Sequence, residues 1–371
     1  MTAFPKRLAN GCADRGSSYL LPAIFVVVSL LAVVVDVASS ADLPASAAVI
    51  NLSSEEEAGG IAGRWEVISG NGTLCEDTND RAEGRASIRL EVEKGRELQV
   101  ASTPIPLSRG CIYRLELFAK RTPGNHLSFF LQENLPDTER QTSLQLHLPG
   151  RFRPNWFPVA PFWERYHAYF STRSDGVGWR LMVKQKNEDA RIGQCCWVDG
   201  ITLAPVAKVQ ETSSQKESAN LLPPKVVSFA PDSRGFPAAW GIWWGEAEKI
   251  HSVTSADGAP VLRVEWGNYG LTPGYIPVEF CHVYRFSIWA KGIGSVSIGI
   301  HQLADHPDYW CRADTALRVG DPHTVQFQLT DGDWQMLSGR WVAEIPRMRW
   351  FNPFIALSGE FEFKHPELKE E

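Results

Sequence analysis

Two aromatic residues flanked by basic side chains are the clearest candidates for chemistry in this sequence. Phe118 lies two positions before Lys120, and Trp289 lies between Arg285 and Lys291. A flat ring can stack on the apolar face of a sugar ring, while neighbouring donors bond the sugar hydroxyl groups. Covering about 80 Å² of apolar surface in this way contributes roughly 2 kcal/mol per stacked sugar. The alternative is that a loop covers each ring.

Further aromatic and amide side chains extend this set. Neighbouring residues on a strand point to opposite faces, so two adjacent aromatic residues leave at least one ring outside the core. Exposed aromatic rings in loops are typical of binding surfaces. Two glutamines, one in each half of the chain, are candidates for hydroxyl contacts or are ordinary solvated side chains. These additional candidate ligand-binding residues are Gln132, Trp156, Trp243, Trp244, Gln302, Tyr309 and Trp310.

Known catalytic motifs do not occur in the sequence. It contains no Gly-x-Ser-x-Gly, no His-Glu-x-x-His and no paired carboxylates at a recognisable spacing. His301, His306 and Tyr309 lie close together, as a polysaccharide lyase would require, but clustered histidine and tyrosine in a β-rich chain are more often packing or surface residues. The sequence therefore favours binding without an enzymatic reaction.

The elements that must position these residues occur twice. Tyr113–Lys120 (YRLELFAK) is followed 171 positions later by Tyr284–Lys291 (YRFSIWAK), and Trp163 and Trp334 have the same separation. In both segments apolar residues alternate with polar ones, which predicts a strand with one buried face. The chain also has 30 Gly and 24 Pro between short alternating segments. This pattern predicts an all-β fold of two tandem antiparallel β-sandwich domains.

Composition and charge divide the chain into five parts. Residues 20–35 carry no charge and follow a basic start, but the run is shorter than the roughly 20 residues of a membrane span. A cleaved signal peptide is therefore favoured over a membrane anchor at 1–41, and either places the rest of the chain outside the cytoplasm. We expect module 1 at 48–205, a polar linker at 206–219, module 2 at 220–366, and a charged tail from Lys364 onward.

Charge and cysteine content narrow the partners and the compartment. The net charge is −6 without a cluster of basic residues, which argues against nucleic acid binding. Beyond the signal segment, disulfides within each module are expected in an oxidising compartment, with Cys281–Cys311 the natural pair in module 2 and three pairings open in module 1. A zinc site is disfavoured, since there is no Cys-x-x-Cys. The cysteines are Cys75, Cys111, Cys195, Cys196, Cys281 and Cys311.

Tryptophan is abundant, and part of it is expected to fill the sandwich cores. The chain has 14 Trp. Those at repeated or strand-start positions among apolar neighbours are predicted to be buried. They are Trp65, Trp163, Trp179, Trp197, Trp240 and Trp334.

The order of these motifs resembles the carbohydrate-binding modules of families 4, 9 and 22, within the galactose-binding-like jelly rolls. Each half opens with Asn-Leu, at Asn51 and Asn220, followed by a tryptophan, a charged alternating strand, the aromatic-Ala-Lys strand and a tryptophan that begins another strand. The first half closes with residues 197–203 (WVDGITL). The resemblance covers most of residues 48–366, and it implies two-sheet jelly rolls.

The resemblance also implies a structural calcium ion in module 1. Asp199 matches the closing aspartate of the family pattern, and Glu56 and Glu57 lie near its early acidic residue. Calcium prefers such hard oxygen ligands. The alternative for the two glutamates is a solvated acidic run. Module 2 has residues 359–363 (GEFEF) at this place, so the closing aspartate is missing and a calcium site there is doubtful.

These observations give two hypotheses. The first is a secreted, non-catalytic protein that binds polysaccharide or a cell-surface glycan through outward aromatic and polar residues. The second is a cell-surface or envelope module that binds a protein partner for adhesion or structure, because a fold of this kind does not fix its function. An open groove with aromatic faces would favour the first hypothesis, and a flat apolar patch would favour the second.

Overall fold

The protein is an all-β structure in which the predicted pair of sandwiches is confirmed. It contains one short helix among the described residues, α1 (Pro224–Val227). No helix in these residues is long and apolar enough to span a membrane. The computed structural model describes residues 49–52, 64–93, 96–134, 139–144, 146, 148, 159–172, 176–187, 194–211, 218–303, 318–330, 332–346 and 349–371.

The first sandwich consists of two antiparallel sheets. Its front layer has the strand order β3-β4-β11-β6-β9, with β1 also paired to β11, and its back layer has the order β2-β5-β10-β7-β8. The strands are β1 (Ile50–Asn51), β2 (Trp65–Gly70), β3 (Gly72–Asp77), β4 (Ser87–Val92), β5 (Glu97–Ser102), β6 (Cys111–Arg121), β7 (Asn125–Asn134), β8 (Glu139–Leu144), β9 (Glu164–Ser171), β10 (Gly178–Asn187) and β11 (Gln194–Lys208).

The second sandwich has longer strands, and three of them run through both layers. A short 3-10 turn at Ala247–Lys249 precedes its second strand. The strands are β12 (Gly241–Trp244), β13 (Ile250–Thr254), β14 (Pro260–Thr272), β15 (Ile276–Pro277), β16 (Val283–Leu303), β17 (Arg318–Leu329), β18 (Gln335–Val342) and β19 (Trp350–Glu370).

The strand order of the second sandwich repeats that of the first. The first part of β14 pairs with β13 on one side and with the end of β19 on the other. The end of β19 pairs with the start of β16, and the start of β16 also pairs with β18. The order β13-β14-β19-β16-β18 therefore matches the front layer. The remaining parts give β12-β14-β19-β16-β17, which matches the back layer. Apolar side chains from both layers form one buried core in each sandwich.

Glycine allows β16 and β19 to pass from one layer to the other. Gly292, Gly294 and Gly359 have φ values of 147°, 131° and 142°, a region that residues with a Cβ rarely adopt. A Cβ atom at any of the three would lie 2.1 Å from a backbone carbonyl oxygen of the neighbouring strand. No other residue type fits these positions without a change in the strands.

A tyrosine tie recurs at the separation found in the sequence. The hydroxyl group of Tyr113 accepts a hydrogen bond from the backbone N–H of Ser108 at 2.8 Å. The hydroxyl group of Tyr284 accepts one from the backbone N–H of Glu279, also at 2.8 Å. Both members of the second pair lie 171 positions after those of the first. Main-chain details of the duplicated segment are therefore repeated along with its residue pattern.

The described residues of both sandwiches belong to one compact unit. The backbone N–H and the hydroxyl group of Ser171 donate to Glu344 Oε2 at 3.0 and 3.1 Å. Tyr169 packs against the core of the second sandwich. Within the predicted linker, Gln210 forms a bridge with His282, and residues 212–217 lie outside the described ones.

Two expectations about the chain are wrong. The residues from Lys364 onward do not form a tail, because they complete β19 and pair with β16 up to Glu370, with Leu368 fully buried. Among the described residues no disulfide forms. The five described cysteines form no disulfide with one another, and Cys195 Sγ instead accepts a hydrogen bond from Arg89 Nε at 3.2 Å. Cys311, the expected partner of Cys281, lies outside the described residues.

Candidate functional site

Trp244 forms an open aromatic platform on the back layer of the second sandwich. A β-bulge between Ile242 and Trp244 brings the indole next to Gly270 of β14. A Cβ atom on Gly270 would lie 2.4–2.6 Å from three atoms of the six-membered ring, so the ring rests directly on the glycine backbone. Trp244 is 46% exposed. One ring face is therefore packed, and the opposite face is open to a ligand.

Two rows of uncharged side chains extend from Trp244 across the back layer. They lie on β14, β19, β16 and β17, and except for Gly270 all are exposed or half-buried. Amide and hydroxyl groups both donate and accept hydrogen bonds, so these rows form a small-residue, neutral floor. The first row is Gly270, Ala356, Ser297 and Gln326, and the second row is Asn268, Ser358, Ser295 and Gln328.

Packed aromatic rings support the strand that carries this platform. The ring centroid of Trp243 lies 4.8 Å from that of His301 and 5.2 Å from that of Phe354. His301 and Phe354 are stacked at 4.8 Å and are both buried. Trp243 is 6.0 Å from Trp244. The adjacent tryptophans thus divide their roles: Trp243 anchors the bulge, and Trp244 is exposed, as predicted for one ring of the pair.

The front layer of the second sandwich carries Trp289, which points outward as predicted and is 38% exposed. It lies between Met336 of β18 and Lys364 of β19. In the adjacent row Glu362 pairs with Arg263 at 2.6 Å and with Lys291 at 2.8 Å. This face therefore combines exposed apolar side chains with charges that are already paired.

Trp334 holds two of these basic side chains. The ammonium groups of Lys364 and Lys291 lie 4.3 and 5.1 Å from the indole centroid, within range of cation–π attraction. Burial opposes the charged form of Glu362, but its hydrogen bonds and charge interactions with Lys291 and Arg263 together outweigh burial, so the pKa of Glu362 is lowered. Lys291, a predicted sugar contact, forms an ion pair with Glu362, and its role as a donor to a sugar stays a prediction.

The first sandwich closes the equivalent front face with a loop, residues 78–86. Phe118, the counterpart of Trp289, is half-buried and paired with Asp199. Asp199 Oδ2 accepts the backbone N–H groups of Ala82 and Glu83 at 2.9 and 3.0 Å. The ring of Phe118 and the side chain of Glu83 both lie against Gly200. For Phe118 the structure thus shows the alternative, a ring covered by a loop.

Lys120 is enclosed by the same loop. Its ammonium group lies 4.4 Å from the ring of Trp197 and 5.4 Å from that of Trp163, and it donates to Asp80. Trp163 Nε1 donates to Asp80 as well, at 3.0 Å. The lysine, two indoles and a carboxylate therefore satisfy one another, and the predicted role of Lys120 as a free donor to a sugar is not supported by its position.

Asp77 anchors the start of this loop. Its Oδ2 accepts the indole N–H of Trp197 at 2.9 Å, and its Oδ1 accepts the backbone N–H groups of Asn79 and Asp80. The pKa of Asp77 is lowered: burial opposes the charged form, but these hydrogen bonds and the nearby Arg89 outweigh it. The carboxylate of Asp77 that anchors the loop is therefore ionised at neutral pH.

The calcium prediction stays a prediction. Both carboxylate oxygens of Asp199 accept hydrogen bonds from the backbone. Oδ2 accepts from the N–H groups of Ala82 and Glu83, and Oδ1 accepts from that of Gly200 at 2.7 Å. Across the described ranges no group of three or more acidic, histidine or cysteine residues could hold a metal ion. Glu56 and Glu57 lie outside those ranges. Asp199 lies opposite Phe118 on the neighbouring strand of the first sandwich, and Lys364 lies opposite Trp289 in the second. The second sandwich therefore has a lysine at the position of the aspartate.

The two predicted glutamines do not occupy equivalent positions. Gln132 lies on the outer face of the first back layer, between Arg180 and Gln141. Gln302 is 2% exposed, and its Nε2 atom donates to the carbonyl oxygen of Val342 at 3.3 Å. The two glutamines are 170 residues apart, one fewer than the repeat of 171, and a shift of one residue moves a side chain to the opposite face. Gln302 is therefore not a surface contact.

Three of the six tryptophans predicted to be core are not. Trp65, Trp179 and Trp240 are buried as expected. Trp163, Trp197 and Trp334 are half-buried on outer faces, where they hold lysine side chains. Trp163 and Trp334 occupy the same position of the repeat, and repetition alone does not distinguish this contact with lysine from core packing.

The remaining predicted residues have mixed outcomes. Arg285 is exposed and forms an ion pair with Glu371 at 2.7 Å. Trp156, Tyr309 and Trp310 lie outside the described residues. The sequence pattern also missed Trp266, which is 66% exposed beside a bulge in β14. A bulge changes the face to which the following residues point, and strict alternation could not have found it.

Comparisons with known proteins give only distant likenesses. No protein-family model matches the chain, and no curated protein matches it. Among solved structures, the CBM22-1-CBM22-2 tandem domain of Paenibacillus barcinonensis Xyn10C is 12% identical, with 89% of this chain and 100% of that chain covered and a TM-score of 0.34. The C-terminal family 22 carbohydrate-binding module of Clostridium thermocellum Xyn10B is 14% identical, with 40% and 89% covered and a TM-score of 0.30. TM-scores this low say nothing about what this chain binds.

Proposed function

We propose that this chain is an extracytoplasmic, non-catalytic carbohydrate-binding protein that recognises a neutral polysaccharide on the back layer of its second sandwich. The observation that carries the proposal is the Trp244 ring, which rests on Gly270 with one face open beside a floor of amide and hydroxyl side chains. The extracytoplasmic location rests on the uncharged segment at residues 20–35.

The chemistry of the floor favours a carbohydrate over other ligands. A sugar ring presents an apolar face for stacking and hydroxyl groups that both donate and accept. The two floor rows contain no ionisable side chain, so an ionic ligand would gain little there. Small residues such as Gly270, Ala356 and Ser297 leave room for a ligand to lie flat beside the indole.

The same rows support the proposal of binding without catalysis. Hydrolysis of a glycosidic bond requires two carboxyl groups facing each other across the bond. Neither floor row contains an aspartate or a glutamate. The surface therefore suits reversible attachment, with specificity from hydrogen bonds and affinity mainly from stacking.

The test is binding of the purified protein to immobilised xylan, β-glucan, galactomannan and chitin, with Trp244→Ala as the variant. We expect one or more of these polysaccharides to retain the protein, and Trp244→Ala to weaken that binding about thirtyfold, the equivalent of roughly 2 kcal/mol of stacking. The matched control is Phe162→Ala, since Phe162 is also an exposed aromatic residue but lies in the first sandwich.

Circular dichroism and thermal unfolding must show that both variants stay folded. Unchanged binding by folded Trp244→Ala, or the same loss in Phe162→Ala, would contradict the assignment to this face. Retention on none of the four polysaccharides by the folded protein would count against the proposed function itself.

A further inference from the structure

We propose that the second sandwich has an additional polysaccharide-binding face on its front layer, and that one molecule can therefore bridge two polysaccharide chains. This inference rests on the proposed function of the back layer. It goes beyond that function because it assigns a separate site and a cross-linking activity.

Exposed apolar side chains form two islands, one on the front layer and one where the long strands pass between the layers. One island is Trp289 with Met336, which are direct neighbours on β16 and β18. The other is Trp266 with Ile293, which lie on either side of Glu360 on β19. All four side chains are exposed. Along the strands the islands are four residues apart on β16, or about 13 Å.

A belt of paired charges separates the two islands. Arg263, Glu362 and Lys291 form one row across β14, β19 and β16, and Glu362 is bonded to both neighbours at 2.6–2.8 Å. Lys364 is paired with Asp257 at 3.3 Å. The charged row therefore lies between the ring of Trp289 and the ring of Trp266.

This alternation suits a hydroxyl-rich polymer better than a protein surface. A protein partner would have to bury the belt, and removing ion pairs from water carries a large desolvation penalty. The apolar area is also split rather than contiguous, unlike the apolar centre of a typical protein interface. Sugar hydroxyl groups can donate to Glu362 and accept from Arg263 or Lys291 without breaking their pairing, while rings stack on Trp289 and Trp266.

The two binding faces point in opposite directions. Trp244 lies on the outer side of the back layer and Trp289 on the outer side of the front layer, while Trp266 lies at the bulge where β14 passes from one layer to the other. Layers of a sandwich pack through their inner sides, so the core separates the two faces. A stiff chain bound to one face cannot lie on the other, and a second chain must occupy it.

A bead assay tests the bridging. Beads that carry the polysaccharide identified by the binding test are incubated with the full-length protein and then with a soluble, fluorescent form of the same polysaccharide. We expect the protein to capture the soluble chain. Trp244→Ala and the double variant Trp266→Ala/Trp289→Ala should each lower capture at least tenfold, while each still binds to the beads through its remaining face.

The outcomes separate this inference from the proposed function. Full bridging by folded Trp266→Ala/Trp289→Ala would overturn the inference and leave the back-layer site intact. Complete loss of bead binding in Trp244→Ala would also overturn it, because a single face would then carry all binding. Light scattering is the final check: if the double variant abolishes self-association of the protein without changing its glycan binding, the front face joins two copies of the chain, and the inference is wrong.

Discussion

The two sandwiches share one strand order but differ in what lies on their outer faces. On the front layer, the first sandwich covers Phe118 with a loop fixed by Asp199, whereas the second leaves Trp289 exposed. The loop between β13 and β14 is too short for the same role, and it ends in a tight turn around Asp257. Loop length and one aspartate therefore decide whether this face is closed or open.

The back layers differ in the residues that lie at a β-bulge common to both. In both sandwiches the edge strand has a bulge at the same place, before Ser69 in β2 and before Trp244 in β12. Ser69 bonds to Gln99 at 3.3 Å, where Trp244 rests on Gly270. The next residue across is Lys184 in the first sandwich and Ala356 in the second. The two residues at the bulge and the charge of Lys184 therefore distinguish the polar surface of the first sandwich from the aromatic platform of the second.

The comparison shows that a duplicated scaffold can keep its core and assign different roles to its surfaces. The tie between Tyr113 and Ser108 recurs in the second half because it holds the strands together. The residues on the outer faces carry no such constraint. The proposed binding role of the second sandwich rests on this difference, and each of the following predictions tests one part of it.

The largest expected effect concerns His167, which only the first sandwich has. His167 is 8% exposed, and burial, with Arg114 and Arg165 nearby and Glu116 opposing them, lowers its pKa from 6.5 to about 4. The unfolded chain therefore binds a proton between pH 6.5 and pH 4 that the folded chain does not, so the stability from His167 is lost as the pH falls through this window. The shift is equivalent to about 3 kcal/mol.

Urea unfolding at pH 7 and pH 4 measures this effect. The second sandwich has Ser338 at the corresponding position, 171 residues later, so the matched variant is His167→Ser. We expect it to lose less stability on acidification than the unmodified protein. Equal pH dependence of the two proteins would show that His167 does not titrate as its burial requires.

The next largest effect is expected from Asp199→Ala. Its carboxylate accepts three backbone N–H groups at 2.7–3.0 Å, and hydrogen bonds to a buried charge are among the stronger ones, so we expect a loss of about 2 kcal/mol in the free energy of unfolding. Lys364→Ala at the corresponding position of the second sandwich should cost less than about 1 kcal/mol, since it removes a cation–π contact with Trp334 and an ion pair with the exposed Asp257. Thermal unfolding measures both, and a larger loss in Lys364→Ala would contradict the assigned roles.

Particular residues show how far the sequence could predict this arrangement. The alternation of apolar and polar residues in Tyr113–Lys120 and Tyr284–Lys291 was enough to predict the strands. It also placed Phe118 and Trp289 correctly on outer faces. It could not show that a loop from another part of the chain covers Phe118, because that contact depends on Asp199, 81 residues later. It also failed for Trp266 and Gln302, where a bulge and a one-residue offset change the face to which a side chain points.

The platform itself is tested by Gly270→Ala. A methyl group at this position would lie 2.4 Å from the Trp244 ring, so the ring must move off the strand. We expect polysaccharide binding to weaken five- to tenfold, or by about 1 kcal/mol, with little change in thermal stability. Gly332→Ala is the control, because its added methyl group would meet no atom within 4 Å. Unchanged binding in Gly270→Ala would mean that the ring position does not matter to the ligand.

The smallest expected effect is a gain in polysaccharide binding. Introducing Ser69→Trp and Gln99→Gly into the Trp244→Ala variant would rebuild the platform on the first sandwich, at the same bulge and over a glycine. We expect binding to recover only about threefold, because glycine within a strand lowers stability by about 0.5–1 kcal/mol, and because Lys184 and its ion pair with Glu97 at 2.8 Å stand where the second sandwich has Ala356. If the folded triple variant recovers no binding, but the further change Lys184→Ala does restore it, then the uncharged floor decides recognition more than the indole does. If neither recovers binding, the difference between the two back layers is not confined to this bulge.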